Sequence, residues 1–169
     1  MKKVCPTEFT IQPHNHWNNK WFILAAGDYE AGDFNAMTVA WGGMGTMWGK
    51  PFVTIVVRPA RHTYSFIEKY PTFTLCSFPE IYKKQLVLMG SRSGRSHDKI
   101  SDCGLTTMAS TNVAAPSFKQ ADLILECKKI YWDDLKPENF LDPSIHEKYP
   151  EKDYHRMYFG EILSIWENK

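Results

Sequence analysis

The chain has 169 residues, 43% hydrophobic and 23% charged, with a formal net charge of +1. That length suits one domain over 1–169, and the near-zero charge gives no broad field for nucleic acid or an anionic membrane. No apolar run approaches a bilayer-crossing length, the start MKKVCPTEF carries no secretory stretch, and four scattered cysteines show no CxxC, so a cytoplasmic, reducing setting is expected.

Residues 1–20 are polar and read as irregular. His14 and His16 form an HxH pair, but no carboxylate or cysteine cluster accompanies them, so a surface turn is expected and no metal site. Trp21–Ala26 (WFILAA) is a short apolar run closed by Gly27, which reads as a buried strand. The chain looks organised around residues 34–51, FNAMTVAWGGMGTMWGKP. This stretch starts as a strand over Ala36–Trp41 and then gives way to four glycines set among Trp41, Met44, Met47 and Trp48. Glycine lets backbone approach another body closely, and indoles with thioethers suit a flat, polarisable ligand hydrogen-bonded around its rim. The same residue types also suit a glycine-rich strand corner packed on its own core.

Phe52–Val57 (FVTIVV) is the strongest strand pattern in the chain. Strands following one another without helices argue for a meander or barrel, not a βαβ sheet. Arg58, Arg61 and His62 then precede Thr63, which is positioned as the N-cap of a short helix turning Phe66 and Ile67 inward. A helix N-terminus beside cations is a ready anion site, though an ordinary capped helix with solvated charges fits as well. Thr72–Ser77 alternates as a half-buried strand. Pro79–Met89 has helical spacing, with Ile81, Tyr82, Gln85, Leu86 and Met89 on one side and a break at Gly90. Residues 91–99, SRSGRSHDK, bring together the hydroxyls of Ser91 and Ser93, free backbone at Gly94 and the cation of Lys99. Such a turn can form an anion-binding nest, although the GK[ST] of a P-loop is missing.

Gly104–Phe118 reads as loop with one short strand, and Leu123–Ile130 as a strand. Tyr131–His155 is a long polar segment broken by prolines, a length that in a compact domain suggests a cover over a site or partner. Met157–Trp166 is the last strand. Cys76 and Cys127 fall in strand patterns and are expected in the core. GxSxG and HExxH are absent. The glycines at 42, 43, 45 and 49 do not make GxGxxG, so a Rossmann nicotinamide domain is excluded.

Four stretches in series, FNAMTVAWGG with GKP, RPARHT, SRSGRSHDK and YHRMYFGE, resemble the flavin reductase-like family, whose FMN-binding split barrel includes the flavoredoxins. The resemblance spans essentially the whole chain. It implies a mainly β fold: an antiparallel, Greek-key split β-barrel with a few peripheral helices, working as a homodimer with FMN near the interface. By the same resemblance, Asn35, Met37, Thr38, Val39, Ala40 and Trp41 line the isoalloxazine, the middle four through backbone. Arg58, His62 and Thr63 match a phosphate or ribityl grip, and Ser91, Ser93, Gly94 and Lys99 its second part. His155 matches a histidine held near the flavin. Lys99 also suits a position by the pyrimidine edge, or a surface salt bridge with Asp98 or Asp102. His155 equally suits a cap on the last strand.

The function implied is an NAD(P)H-dependent flavin or electron-acceptor reductase, with NADH or NADPH as transient donor and hydride passing to flavin N5. No side-chain acid is required, and Trp41 with Met44 or Met47 would wall the nicotinamide slot. The alternative is a flavoredoxin-type electron carrier reduced by a redox protein partner; a flavin-free binding module on the same barrel ranks third. Many relatives extend beyond the last strand, so residues 131–153 are expected to take over any covering role, from their own or a partner subunit.

Overall fold

Strand formation follows the apolar runs closely in the computed structural model, which describes residues 1–96 and 98–168. The elements in chain order begin with β1 (Lys2–Val4), a one-turn α1 (Pro13–Asn15) and a further helical turn over His16–Lys20. Then come β2 (Phe22–Asp28), β3 (Asp33–Val39), β4 (Gly42–Met47), β5 (Lys50–Val57) and α2 (His62–Lys69). Next are β6 (Thr72–Ser77), α3 (Lys83–Ser91) and α4 (Lys99–Asp102), followed by the two-residue strands β7 (Thr107–Met108) and β8 (Ser117–Phe118). Two long strands, β9 (Leu123–Asp134) and β10 (Arg156–Glu167), complete the chain.

One antiparallel sheet runs β3-β2-β6-β9-β10-β5-β4, with β1 added on β10. Its two ends curl together, so that β3 and Val56 of β5 line the same cavity. The alternation of β2 shows how both faces are covered. Phe22, Leu24 and Ala26 point into the barrel with Val53, Ile55, Phe73, Leu125 and Tyr158. Ile23 and Ala25 point outward under Leu86 and Met89 of α3, together with Cys76 and Phe118. A strand buried on both sides needs a continuous apolar run rather than a polar alternation, which is what FILAA supplies. Cys76 and Cys127 are fully buried, as their strand patterns predict.

Several boundaries differ from the sequence reading. The polar N-terminus contributes β1 and two helical turns, because pairing with β10 satisfies its backbone where its own composition is silent. The glycines after Trp41 do not dissolve into loop: they form β4, paired residue by residue with β5 and closed by a tight turn in which Trp48 and Gly49 both have positive φ (53° and 70°). Helix α2 starts two residues earlier than expected, with Arg61 as its N-cap and Thr63 buried inside the first turn. Helix α3 runs through Gly90 to Ser91, since that glycine is pressed against β3, where an added Cβ would lie 3.2 Å from that of Thr38. Ile81 falls in a separate short turn before α3 and is 80% exposed, off the buried face assigned to it. The long segment after Ile130 is shortened by β9, which continues to Asp134, and by helical turns at 137–139 and 143–148.

Candidate functional site

As the terminal strand, β3 has β2 on one edge only, so the backbone groups of its other edge are free of sheet partners. Beside that edge lies a cavity of about 190 Å³ lined by Met37, Thr38, Val39, Ala40, Trp41, Val56, Arg58 and His155. Trp41 is 48% exposed, and its ring sits 5.2 Å from that of His155. His155 is itself buried, its Nδ1 sharing a 2.8 Å hydrogen bond with the Tyr149 hydroxyl. Burial first, and then the charge of Arg58, push the imidazole down to about 4, so it is uncharged at neutral pH. Arg58 is committed to the protein: Nη1 donates to both oxygens of Asp153 at 2.9 and 3.1 Å, and Nη2 donates to the Lys148 carbonyl at 2.8 Å.

The second cavity, about 90 Å³, is polar and lies between the start of α2 and the turn after α3. Ala60, Arg61, His62 and Thr63 line one side; Ser91, Arg92, Ser93, Gly94 and Lys99 line the other. Lys99 is only 3% exposed, and Nζ donates to the carbonyls of Met89 and Arg92, each at 3.3 Å. Burial, followed by repulsion from Arg61, lowers its amine to about 8. The expected salt bridge is not formed. Asp98 instead accepts from the backbone N–H of Ser101 at 3.2 Å, and Asp102 pairs with Arg92 at 3.0 Å. The four-residue helix α4 turns Lys99 inward and leaves its acidic neighbours outside. Arg61 donates to the Gly90 carbonyl and is lowered by burial and by Arg58. His62 is lowered too, by burial and then by Arg95 and Lys99. Among the described residues no acidic side chain lines the cavity; Arg92 is paired with Asp102 outside it, which leaves Lys99 and Arg61 without a carboxylate there.

A few contacts tie the elements around the two cavities to one another, and the two cavities together make a candidate trough. Thr38 donates to the Leu86 carbonyl at 2.5 Å, fixing β3 to α3 beside Gly90. Asn35 is buried and donates from Nδ2 to Thr63 Oγ1 at 3.1 Å. Gly94 meets the same amide from the other side: an added Cβ would lie 2.6 Å from Asn35 Oδ1. Asn35 therefore ties strand, helix and turn together behind the cavities instead of lining either one.

Of the residues read from the sequence, Met37 to Trp41 gather with Arg58 and His155 at one end. His62, Thr63, Ser91, Ser93, Gly94 and Lys99 gather at the other. Arg58 sits apart from the His62 and Thr63 it was grouped with. The ring of methionines and tryptophans expected around one ligand is not assembled. A strand advances about 3.4 Å per residue, so the β4–β5 hairpin carries its tip roughly 20 Å from Trp41. There Trp48 packs against Tyr131 and Phe159, each 6.1 Å away. Met44 borders two other cavities: one of about 630 Å³ whose lining includes no charged residue, and one of about 450 Å³ that it shares with Trp41, as the expected pairing of these two residues requires. Arg61, Val56, Tyr149 and Asp153 complete the trough's surroundings. The RPAR spacing signals Arg61 in sequence, but no local pattern signals the other three.

Residues 17–169 match the family described as flavin reductase like domain, and the chain belongs to that family. An uncharacterized protein of Pyrococcus abyssi (strain GE5 / Orsay) is 30% identical over 118 residues, 68% of this chain, and the match spans 56% of that relative's length. Among solved structures, an FMN-binding domain of a flavin reductases-like enzyme from Shewanella baltica OS155 superposes with a TM-score of 0.71 at 19% identity, covering 98% of this chain and 76% of that one. The flavoredoxin of Desulfovibrio vulgaris (Miyazaki F) does so with a TM-score of 0.69 at 22% identity, covering 100% and 78%. These likenesses bear out the mainly β, antiparallel split barrel with few helices. No helix among the described residues is long and apolar enough to cross a membrane.

Proposed function

We propose that the chain is an FMN-binding oxidoreductase that takes reducing equivalents from NADH or NADPH. The observation that carries this reading is the buried charge of Lys99 beside the partly buried Arg61, neither met by a carboxylate among the described residues, at one end of a trough whose other end is aromatic and has its one cation, Arg58, paired. An ammonium held by two carbonyls and facing another cation is unfavourable unless an anionic oxygen joins it. A phosphate fits that cavity, and a flat ring system then extends along the free edge of β3 towards Trp41. The donor set fits the group: hydroxyls of Ser91, Ser93 and Thr63, the N–H groups opening α2, and the two cations. Bound there, a flavin supplies hydride acceptance and electron transfer. The protein's part is to hold the ring by β3 backbone, keep His155 uncharged beside it and leave the Trp41 side open to a donor.

The two cavities together are smaller than the range of about 300–1,000 Å³ usual for such ligands. We therefore propose that a second copy of the chain closes the open side, as expected for a homodimer. Sizing by light scattering with and without FMN tests this; a monomer at micromolar concentration in both samples rules it out.

The deciding experiment is an anaerobic visible spectrum of FMN-loaded protein during stepwise addition of NADH and then NADPH. Bleaching at catalytic speed supports the reductase and identifies its donor. A spectrum that bleaches only with dithionite or a reduced ferredoxin replaces it with an electron carrier. Protein that stays colourless after incubation with FMN overturns both.

A further inference from the structure

Of the segment between β9 and β10, His155 lines the cavity, and Lys148, Tyr149 and Asp153 surround the Arg58 that lines it too. Tyr149 is 4% exposed, with its ring 4.7 Å from Tyr154 and beneath the Arg58 guanidinium at 5.1 Å. Lys152 takes a positive φ of 54° and its N–H returns to the Tyr149 carbonyl at 3.0 Å. That tight turn folds Asp153 back alongside Tyr149, so that one guanidinium grips both: Arg58 stacks on the ring, bonds the carboxylate and bonds the Lys148 carbonyl. Whatever Tyr149 touches is therefore held rigidly.

It touches His155. The Tyr149 hydroxyl is the hydrogen-bond partner of Nδ1, and Nε2 has no protein partner among the described residues, although the ring lines the cavity. The direction of the bond follows from acidity and basicity. A phenol is a much stronger acid than a neutral imidazole N–H, and an imidazole nitrogen is a much stronger base than a phenol oxygen. Burial raises the Tyr149 hydroxyl further, so it keeps its proton to donate. We propose that Tyr149 is a positioning residue that holds His155 in the tautomer protonated at Nε2, so that the imidazole presents an N–H donor to the cavity beside Trp41. The charged groups facing the ring, Arg58 and Asp153, are paired with each other and do not compete for that proton. On the flavin reading above, the donor meets an acceptor oxygen or nitrogen at the rim of the bound ring. A cationic imidazole in the same place would add a fixed charge beside the ring, whereas the neutral tautomer polarises it and leaves Lys99 to meet the anion.

The test separates the tautomer from the flavin. In ¹⁵N-labelled, full-length apo protein at pH 7, two-bond ¹H–¹⁵N correlation spectra, assigned by loss of one signal set in His155→Gln, report both ring nitrogens. The expected pattern is an unprotonated, hydrogen-bonded Nδ1 and a protonated Nε2. A protonated Nδ1, or an imidazolium at pH 7, in the wild-type protein overturns the proposal. In Tyr149→Phe, which keeps the ring and the Arg58 contact, the Nδ1 signature should vanish into a mixture of tautomers and the FMN dissociation constant should rise about tenfold. Unchanged tautomer and affinity in that variant also overturn it. Wild-type protein that shows the expected tautomer but binds no FMN refutes the flavin reading and leaves the role of Tyr149 standing.

Discussion

The two ends of the trough hold their cations in opposite ways. Arg58 is half-exposed, yet every face of its guanidinium is used: a carboxylate, a carbonyl and a tyrosine ring. Lys99 is almost wholly buried, yet among the described residues its ammonium bonds two carbonyls at 3.3 Å and faces a like charge, with no carboxylate beside it. A paired cation is scaffold, because its interactions are complete in the free protein. An underpaired buried cation is a candidate binding site, because an anion from outside can supply the missing interaction. Residue type does not distinguish the two, and both arginine and lysine sit in stretches that resemble ligand grips. The difference lies in whether a carboxylate reaches them.

The comparison can be broken at either end, beginning with the largest effect. The His155 imidazole is lowered from 6.5 to about 4 in the fold, so the unfolded chain binds its proton first as pH drops. This contribution to stability is complete above pH 6.5 and is lost between there and about pH 4. It amounts to about 3 kcal/mol, seen as a falling urea midpoint across that window and flattened in His155→Gln. Next, Lys99→Met should weaken FMN about a hundredfold by isothermal titration, the scale of one buried charge-assisted contact of nearly 3 kcal/mol. Because the free amine titrates at about 8 and a bound phosphate would raise it, wild-type affinity should be full below that pH. It should then fall about tenfold per pH unit above it, with the slope absent in the variant. An affinity independent of pH from 7 to 9.5 would show that Lys99 does not meet the anion.

Gly94→Ala sharpens the comparison at the joint. The new Cβ has to displace either the turn or an Asn35 amide pinned by Thr63, so FMN affinity should drop about tenfold while the melting temperature moves by only a few degrees. Last, Asp153→Asn should cost about 1 kcal/mol of stability, since the pair is partly exposed and screened. Its effect on FMN should be at most threefold, through a looser Tyr149. A larger loss of affinity there than in Lys99→Met would reverse the assignment of scaffold and site.

Much of the barrel was legible because it depends on side-chain alternation and on runs that only a doubly buried strand can use. FILAA and FVTIVV became the strands they read as, whereas TFTLCS, read as half-buried, is a strand buried on both faces between β2 and β9. The errors came where a neighbour distant in sequence overruled local preference. Glycine ends many helices, but Gly90 stays inside α3, where it lets the helix approach Thr38 of β3 closely. The glycine-rich run after Trp41 reads as loop, yet β5 supplies a ladder that any sequence without proline can join. Lys99 has Asp98 and Asp102 within one helical turn, so the sequence leaves a surface ion pair open beside the anion grip, and that pair is not formed among the described residues. A helix of four residues turned it inward.

The sequence by itself determined the class of fold, the membership of the chain in its family and the two stretches that form the trough. Those features rest on local periodicity and on short runs of residue types, which survive without knowledge of contacts. Only the tertiary structure decided that Arg58 is held by Asp153, 95 residues away, that Tyr149 engages His155, and that Lys99 is left without a carboxylate. Pairing and burial are properties of distance between segments far apart along the chain. Whether a charge is scaffold or site depends on both.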